Sequence, residues 1–191
     1  ISDFFYQILK LQNLKSGFIG TLGCRKDKLL KRRNLTSLDS LTLNQDLNEM
    51  SRIKINNVII EASSHGLKQK RLNFLKIKAG IFTNFSQDHL DYHKNMKNYF
   101  ESKLLLFKDL LKKRGTIITD TDIKQFKEIK KIQKKRKLKM LNIGSKSNTF
   151  DILDHKIFEN FQYLKIKYKN KIYKLRINLY GSIQIKNLFM A

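Results

Sequence analysis

Residues 57–67 read NVIIEASSHGL, and residues 79–93 read AGIFTNFSQDHLDYH. Each segment opens with a short apolar run of the kind found in buried strands of parallel sheets, and each becomes polar where the predicted strand ends. Similar short strands alternate with amphipathic helices along residues 2–148. This alternation predicts an α/β fold in which a mostly parallel sheet is flanked by helices.

The hydrophobic pattern also predicts the elements around these two segments. Residues 25–38 are basic and are expected to be irregular. Helices are predicted over residues 2–13, 41–50 (introduced by Ser40), 95–112 and 121–134, and strands over 16–23, 57–61, 79–84, 116–119 and 138–143.

The pattern changes near residue 148. Residues 161–168 and 172–177 alternate apolar and polar side chains on either side of Lys169-Asn170. This arrangement predicts an antiparallel β-hairpin with one solvated face. We therefore expect a parallel α/β part over residues 1–148, an antiparallel part over 149–181, and a new helix at the end of the chain.

Length and composition exclude several classes of protein. A chain of 191 residues predicts one domain, and 41% hydrophobic residues argue against intrinsic disorder. No apolar run is long enough to span a bilayer. A single cysteine, Cys24, excludes an intramolecular disulfide framework and a multi-cysteine zinc site. The first residues do not resemble a signal peptide, and because the first residue is Ile1 we expect the chain to begin within a longer protein.

The net charge is the most extreme feature of the composition. The chain has 40 Lys and Arg residues against 16 Asp and Glu, a net charge of +24. Such a charge is typical of proteins that bind nucleic acid or anionic membrane surfaces. However, the excess is mostly lysine and comes with many Ile and Asn residues, a bias that A/T-rich codons also produce. A binding module for nucleic acid or an anionic surface remains an alternative to an enzyme.

Polar side chains gather where two predicted strands end. Glu61 and His65 follow the first strand, and Asn84, Asp88 and His89 follow the second. In open α/β sheets, ligands bind beyond the carboxyl ends of the strands. This mixture of carboxylates, hydroxyls and imidazoles is suited to a hard cation and to phosphates, although the same residues also occur in ordinary turns and helix caps.

Two further residues are ambiguous from spacing alone. His89 and His93 are four residues apart, but Leu90 stands where the zinc-protease pattern HExxH has glutamate, so zinc hydrolysis is disfavoured. Lys103 lies on the apolar stripe of the predicted 95–112 helix, between Phe100 and Phe107. It either extends its amine outward to solvent or faces the site at the strand ends.

Read together, these segments resemble the Mur ligases, and among them the members that add a diamino acid to the muramoyl peptide. The run SSHGL followed by Gln69 and Arg71 distinguishes them from the folylpolyglutamate and cyanophycin synthetases. Weaker similarity covers the segments 19–23, 36–37 and 181–187. The specific match is carried by residues 61–67, by Gln69 and Arg71, by residues 82–93, and by Met96, Tyr99 and Lys103.

The resemblance implies an ATP-dependent amide ligase of peptidoglycan biosynthesis. In this family ATP phosphorylates the carboxylate of UDP-N-acetylmuramoyl-L-alanyl-D-glutamate, and the amine of a diamino acid then displaces phosphate. The implied cofactors are ATP and Mg²⁺, and the implied enzyme is a cytoplasmic monomer that is not inserted in a membrane and does not bind nucleic acid.

The resemblance also implies roles for individual residues. Glu61 and His89 match ligands of Mg²⁺, and Lys103 matches a lysine that CO₂ converts to a carbamate, which serves as a further metal ligand; these residues are also the expected catalytic groups. Asn84 matches a cofactor-binding position. The expected contacts to the muramoyl peptide are Thr36, Ser37, Ser63, Gln69 and Arg71.

Other family features are missing from the sequence or altered in it. The phosphate loop GTNGKT, the uridine-binding domain and the ligase domain that binds the amino acid are not represented. We therefore expect a fragment of the central domain that is inactive alone, and the identity of the diamino acid stays open. The departures are Ser37 and Leu38 for Thr and Gly or Pro, Gln87 for Arg, residues 119–122 (TDTD) for Asn-x-Asp-Asp, and Ile183 and Gln184 for Phe and Asn.

Overall fold

A computed structural model describes residues 1–26, 29–31 and 36–191. The chain divides into two compact units. Unit 1 contains residues 1–76 and 87–110 together with Ala191, and unit 2 contains residues 77–86 and 111–190. Within the described ranges, no helix is long and apolar enough to cross a membrane.

Unit 1 is built on a four-stranded sheet of order β3-β2-β1-β4, in which β1 and β4 are parallel and the other pairs antiparallel. Its strand β1 is buried throughout. The elements of unit 1 are α1 (Ser2–Leu11), β1 (Ser16–Gly20), β2 (Gly23–Lys26), β3 (Leu29–Lys31), α2 (Ser40–Arg52), β4 (Asn57–Ile60), α3 (Ser64–Lys68), α4 (Leu90–His93) and α5 (Met96–Leu105).

The strands β2 and β3 correct the expectation that residues 25–38 are irregular. Residues 25–26 and 29–31 pair as an antiparallel hairpin, whereas residues 27–28 and 32–35 lie outside the described part of the chain. All three residues of β3 are exposed, because β3 lies at the edge of the sheet. An exposed edge strand buries neither face, so its sequence carries no alternation to reveal it.

Unit 2 is built on a six-stranded sheet of order β10-β9-β8-β7-β6-β5. The strands from β5 to β8 are parallel, and β8, β9 and β10 are antiparallel. The elements of unit 2 are β5 (Ile77–Phe82), β6 (Leu111–Asp120), α6 (Phe126–Arg136), β7 (Lys139–Gly144), β8 (Phe150–Ile157), β9 (Gln162–Tyr168), β10 (Lys171–Ile177) and α7 (Ser182–Met190).

The hairpin predicted near the end of the chain is confirmed as β9 and β10. Its inward face packs around Leu164 and Ile166 against Ile185 of α7, which gives this part its own core. The pattern did not reveal β8, although β8 joins the parallel and antiparallel parts of the sheet. Its residues are mostly half-buried, so they show no clean alternation.

Two expectations about the parallel part are wrong in detail. The helix predicted over residues 95–112 is α-helical only to Leu105, continues as a π-helix over Leu106–Leu110, and gives way to β6 at Leu111. In addition, β4 and β5 belong to different sheets rather than being neighbours in one. The alternation of strands and helices predicts the α/β class, but long-range packing decides which strands pair.

Candidate functional site

Five aromatic side chains of unit 1 lie against one another beside the predicted site. We call His65, His89, Tyr92, His93 and Tyr99 the ring cluster. The ring centroid of His65 lies 5.0 Å from that of His89 and 4.1 Å from that of Tyr92. The centroids of His93 and Tyr99 are 5.2 Å apart. The sequence indicated His65, His89 and His93, but only the tertiary structure shows that their rings lie against one another and against the two tyrosines.

Local backbone geometry positions these rings. Ser63 caps α3 by accepting a hydrogen bond from Gly66 N at 3.1 Å, and Asn95 caps α5 by accepting one from Asn98 N at 2.9 Å. His89 begins α4 in the left-handed region, with φ of 54°. Lys94 and Lys137, at the ends of α4 and α6, also have positive φ, so at His89 this conformation marks the start of a short helix.

His93 is the most buried member of the ring cluster, with 4% of its surface exposed. Its Nε2 lies 2.9 Å from Ser64 Oγ, and its Nδ1 lies 3.4 Å from Ser102 Oγ. Burial lowers the pKa of His93, and its electrostatic interactions with His65 and His89 lower it further. The imidazole is therefore held in its neutral form at neutral pH.

Lys103 lies on α5 with its Nζ 5.1 Å from the ring centroid of Tyr99. Burial lowers the pKa of its amine, and the carboxylates Asp88 and Glu61 oppose this effect only in part. Within the described ranges, no carboxylate lies within ion-pair distance of Lys103. The Lys103 side chain is half-buried, so its amine does not reach fully into solvent.

Glu61 follows β4 and continues its pairing with β1, because its backbone N–H donates to Ile19 O at 2.8 Å. Its Oε2 accepts hydrogen bonds from Thr21 N at 2.8 Å and from Thr21 Oγ1 at 2.9 Å. A Cβ at Gly20 would lie 2.6 Å from that same oxygen. Glycine at position 20 is therefore what allows the Glu61 carboxylate to lie against the end of β1.

The predicted substrate residues fall into two groups. Ser37 is buried; its hydroxyl donates to Glu61 O at 3.1 Å and accepts from Ser63 N at 2.9 Å. Arg71 donates from Nη1 to Ser37 O at 2.7 Å. These bonds tie the segment around Ser37 to the loop after β4, so Ser37 uses its hydroxyl within the fold.

The other group offers more accessible polar atoms. Thr36 Oγ1 lies 3.0 Å from Thr21 Oγ1. Since Thr21 donates its hydroxyl proton to Glu61, Thr36 is the donor in this contact. Gln69 is exposed and donates from Nε2 to Tyr92 OH at 3.2 Å. These side chains thus extend the polar surface from Glu61 to the ring cluster.

Unit 2 has a polar site of its own, which the sequence did not predict. Lys186 of α7 forms ion pairs with Asp120 Oδ2 at 2.6 Å and with Asp122 Oδ2 at 2.9 Å. Burial alone would lower the pKa of Lys186, but its bonds to the two carboxylates outweigh burial and raise it. Burial opposes the ionised form of Asp122 as well, but hydrogen bonds from Ser145 and Lys186 hold its pKa below its usual value.

This cluster borders a cavity of about 230 Å³ within unit 2. Asn84, the predicted cofactor contact, lines it together with Asn187 of the 181–187 segment. Asn84 is exposed, and its Oδ1 accepts a hydrogen bond from Thr83 Oγ1 at 3.2 Å. The structure thus describes Asn84 in unit 2 and the other predicted site residues in unit 1.

Unit 1 contains side chains of the types that bind a divalent cation, namely the carboxylates of Glu61 and Asp88 and the imidazole of His89. The described ranges contain no group of three His, Cys, Asp or Glu side chains that could hold a metal ion together. However, the charges of Glu61 and Asp88 both act on the Lys103 amine. Carboxylate oxygens of this kind are ligands that Mg²⁺ prefers.

The sequence profile of the family described as Mur ligase middle domain matches residues 1–191. The chain is 33% identical over its whole length to UDP-N-acetylmuramoyl-L-alanyl-D-glutamate–2,6-diaminopimelate ligase from Zymomonas mobilis. It is 35% identical to the protein of the same name from Rickettsia bellii. The chain spans 39% and 41% of the lengths of these two relatives.

Solved structures support the same relationship. A structure of a ligase with that same name superposes with a TM-score of 0.86 and 26% identity, covering 99% of this chain and 39% of the other. MurF ligase from Thermotoga maritima, solved in complex with ADP, superposes with a TM-score of 0.69 over 98% of this chain and 40% of its own. At 12% identity the latter likeness shows the fold alone. The chain belongs to the Mur ligase family and corresponds to its middle domain.

Proposed function

We propose that this chain is the ATP-using middle domain of a ligase that joins a diamino acid to UDP-N-acetylmuramoyl-L-alanyl-D-glutamate in peptidoglycan synthesis. The names and identity of the relatives support this proposal. The observation that carries it is the match of residues 1–191 to the Mur ligase middle domain, together with the half-buried Lys103, whose Nζ lies 5.1 Å from the ring centroid of Tyr99. A lysine in such surroundings is typical of functional sites rather than of helix surfaces.

The proposal extends to the parts of a longer protein. Residues 1–191 would form the central domain, with a parallel part over 1–148 and an antiparallel part over 149–181. A phosphate loop, a uridine-binding domain and an amino-acid-binding domain would be supplied by further sequence, so the 191-residue chain would be inactive alone. The whole enzyme is proposed to act as a monomer in the cytoplasm.

The chain's own residues would contribute as follows. Glu61 and His89 would hold Mg²⁺ through a carboxylate oxygen and an imidazole nitrogen. The neutral fraction of the Lys103 amine would attack CO₂, lose a proton and become a carbamate that provides a further ligand. When bound, Mg²⁺ neutralises negative charge on the reacting phosphate and acyl oxygens.

The substrate would be oriented by the remaining predicted residues. Arg71 uses one N–H of its guanidinium on Ser37 O, and its other donors are suited to a carboxylate or a diphosphate. Gln69, Thr36 and Ser63 offer an amide and two hydroxyls near Glu61. Ser37, which is buried, would act by holding this segment in place. Asn84 would contact the nucleotide.

The test is an assay of amide formation by the full-length gene product with the UDP-linked dipeptide, ATP, Mg²⁺ and either diaminopimelate or lysine. Lys103→Ala should lower kcat at least about 100-fold, because it removes an anionic ligand at the reacting centre. A short-chain carboxylic acid such as acetate should restore part of the activity. The matched control is Lys108→Ala, which removes an exposed lysine paired with Glu101. Unchanged activity of Lys103→Ala would refute the carbamate role.

The alternative function, a basic module for nucleic acid or anionic surfaces, rests on the net charge of +24. It predicts that binding to duplex DNA weakens steeply with salt, because each neutralised phosphate releases a counterion. A titration of the full-length gene product against duplex DNA at increasing salt separates the two. If binding to duplex DNA is weak and depends little on salt, the nucleic-acid-binding function is refuted and the ligase function remains.

A further inference from the structure

A hydrogen-bond chain passes through His93 of the ring cluster and connects three helices. Its members are Ser64 of α3, His93 of α4 and Ser102 of α5, which we call the Ser–His–Ser chain. All three side chains are buried, with 3%, 4% and 2% of their surfaces exposed. Buried polar groups cost stability unless they are hydrogen-bonded, so an arrangement that satisfies all three is a specific feature of this packing.

The direction of each hydrogen bond follows from counting protons. Ser102 Oγ has one proton, which it donates to Asn98 O at 2.8 Å. It therefore accepts from His93 Nδ1, which places the ring proton on that nitrogen. In the neutral ring Nε2 carries a lone pair and accepts from Ser64 Oγ at 2.9 Å. The imidazole thus has one tautomer and one ring orientation, both determined by neighbours on two other helices.

Each member of the chain adjoins residues of the proposed site. Ser64 lies between Ser63 and His65, and Ser102 directly precedes Lys103. His93 lies one helical turn after His89, and its backbone N–H donates to His89 O at 3.0 Å. A rotation of the His93 ring would therefore be transmitted to all three helices that carry the site.

We propose that His93 is a positioning residue, which through Ser64 and Ser102 fixes α3, α4 and α5 and so holds His89 and Lys103 in place. This inference rests on the proposed function, because it assigns the residues being positioned to a metal site. His93 itself touches no reacting atom. An apolar ring of similar size would fill the same volume without desolvating two nitrogens, so burial alone does not account for a histidine here.

The experiment compares single-hydroxyl deletions in the full-length gene product. Ser64→Ala and Ser102→Ala each remove one link while leaving the backbone and the ring cluster intact. Ser147→Ala is the matched control, because Ser147 in unit 2 is also a buried hydroxyl, hydrogen-bonded to Asn142 O at 2.7 Å. His93→Phe removes both links and keeps a ring, and His93→Asn restores a donor at the position of Nδ1.

Two measurements do not depend on the ligase reaction. The first is the affinity for Mn²⁺, measured by electron paramagnetic resonance without ATP. Ser64→Ala and Ser102→Ala should weaken it about 10-fold to 100-fold, the usual effect of removing a group that orients metal ligands. Ser147→Ala should leave it unchanged even if the variant melts at a lower temperature. The second is the ¹⁵N chemical shift of His93, which should report the Nδ1–H tautomer.

The pattern among variants sharpens the test. Because both hydroxyls act through one ring, the double variant Ser64→Ala/Ser102→Ala should lose less affinity than the sum of the two single losses. His93→Asn should retain more affinity than His93→Phe. In kinetics, kcat should fall while KM for the UDP-linked dipeptide changes little.

The outcomes separate this inference from the proposed function. If the unaltered protein forms product but Ser64→Ala and Ser102→Ala bind Mn²⁺ as well as Ser147→Ala does, the positioning role is refuted and the ligase stands. An Nε2–H tautomer also refutes it. If the unaltered protein binds Mn²⁺ but forms no amide product, the proposed reaction fails, and the Mn²⁺ affinities and the tautomer still decide the role of His93.

Discussion

Lys103 in unit 1 and Lys186 in unit 2 are both half-buried lysines near carboxylates, yet their pKa values shift in opposite directions. Lys186 touches Asp120 and Asp122 directly, and this contact outweighs the cost of burial. Lys103 lies over the Tyr99 ring, and Glu61 and Asp88 act on it only from a distance. Direct contact with the acids therefore stabilises the charged form of Lys186. Lys103 has no such contact among the described residues, so its amine loses its proton more easily.

The carboxylates near the two lysines also differ in whether a cation contacts them. In unit 2 both carboxylates pair with the Lys186 cation, and Asp122 also accepts hydrogen bonds from the hydroxyl and backbone N–H of Ser145. In unit 1 the Oε2 of Glu61 is bonded by Thr21, which carries no charge. An acid bonded only by neutral groups keeps its charge available for a metal ion. The carboxylates of unit 2 thus form an ion-pair cluster with Lys186, whereas the Glu61 carboxylate of unit 1 is suited to binding a cation.

The largest expected effect on stability comes from adding a side-chain carbon at Gly144, next to the carboxylates of unit 2. Gly144 has φ of +136°, and an added Cβ would lie 2.3 Å from Thr121 Oγ1 and 2.9 Å from Asp120 Oδ1. Gly144→Ala should destabilise unit 2 by about 3 kcal/mol, from backbone strain and overpacking together. Hydrogen exchange of the β6 and β7 amides in the full-length gene product measures this.

Gly20→Ala is the corresponding change in unit 1. Its Cβ would lie 2.6 Å from Glu61 Oε2, which is exposed and can rotate away, and 2.8 Å from Glu61 Cβ, which requires a small shift of the backbone but, unlike at Gly144, no positive φ. We expect a smaller loss of stability, on the order of 1 kcal/mol, together with weaker Mn²⁺ binding, because the carboxylate is displaced. Equal loss of protection in both variants would contradict the contrast between the ion-pair cluster of unit 2 and the Glu61 carboxylate of unit 1.

Removing each lysine tests the contrast directly. Lys186→Met should destabilise unit 2 by about 2 kcal/mol, because Asp120 is 95% buried and would lose its only charged partner among the described residues. The control Lys131→Met breaks an exposed pair with Glu128 and should cost less than about 1 kcal/mol. Adding Asp120→Asn to Lys186→Met should recover part of the loss in the same exchange experiment.

Lys103→Met should raise the stability of unit 1, whereas Lys186→Met lowers that of unit 2. The lowered pKa of Lys103 means that the unfolded chain binds its proton more readily than the folded one, so the lysine reduces stability at neutral pH. Its removal should stabilise unit 1 by on the order of 1 kcal/mol, as substitutions at functional sites often do. Exchange of the β1 amides in CO₂-free buffer measures this without the carbamate. A loss of stability would show that Lys103 is an ordinary packing residue.

The smallest effect is the dependence of unit 2 on pH. The lowered pKa of Asp122 contributes stability above its unfolded value of 3.8, and that contribution is lost as pH falls through the folded value. The raised pKa of Lys186 contributes stability below 10.5, and that contribution is lost as pH rises through the folded value. We expect this cluster's contribution to stay level between about pH 5 and pH 9. Protection of β6, corrected for intrinsic exchange and compared with that in Lys186→Met, tests this.

The predictable features of the molecule were those with a strong local pattern. The alternating hairpin of β9 and β10 and the apolar runs of β1, β4 and β5 are visible from periodicity. The edge strand β3 and the half-buried β8 are not, because neither separates a buried face from a solvated one. The end of the helix at Leu105 was also missed, since the same leucines are buried in a helix, a π-helix or a strand.

The residues of the candidate site also divide into those with a local sequence pattern and those without one. Glu61, His89 and Lys103 were predicted because each belongs to a motif that resembles one family. The Ser–His–Ser chain and the Lys186 cluster were not, because their members are separated by 29 and 66 positions and meet only after folding. Motifs identify residues one at a time, whereas a hydrogen-bond network exists only between residues that are already in place.

By itself, the amino-acid sequence determined the α/β class, the family and the residue types available for chemistry, because these depend on local periodicity and on motif identity. The tertiary structure decided which strands pair, which hydroxyls are used within the fold, and which of two similar lysines has its pKa lowered. The reason is physical: a pKa depends on burial and on the distance to other charges, and both are properties of packing rather than of the chain.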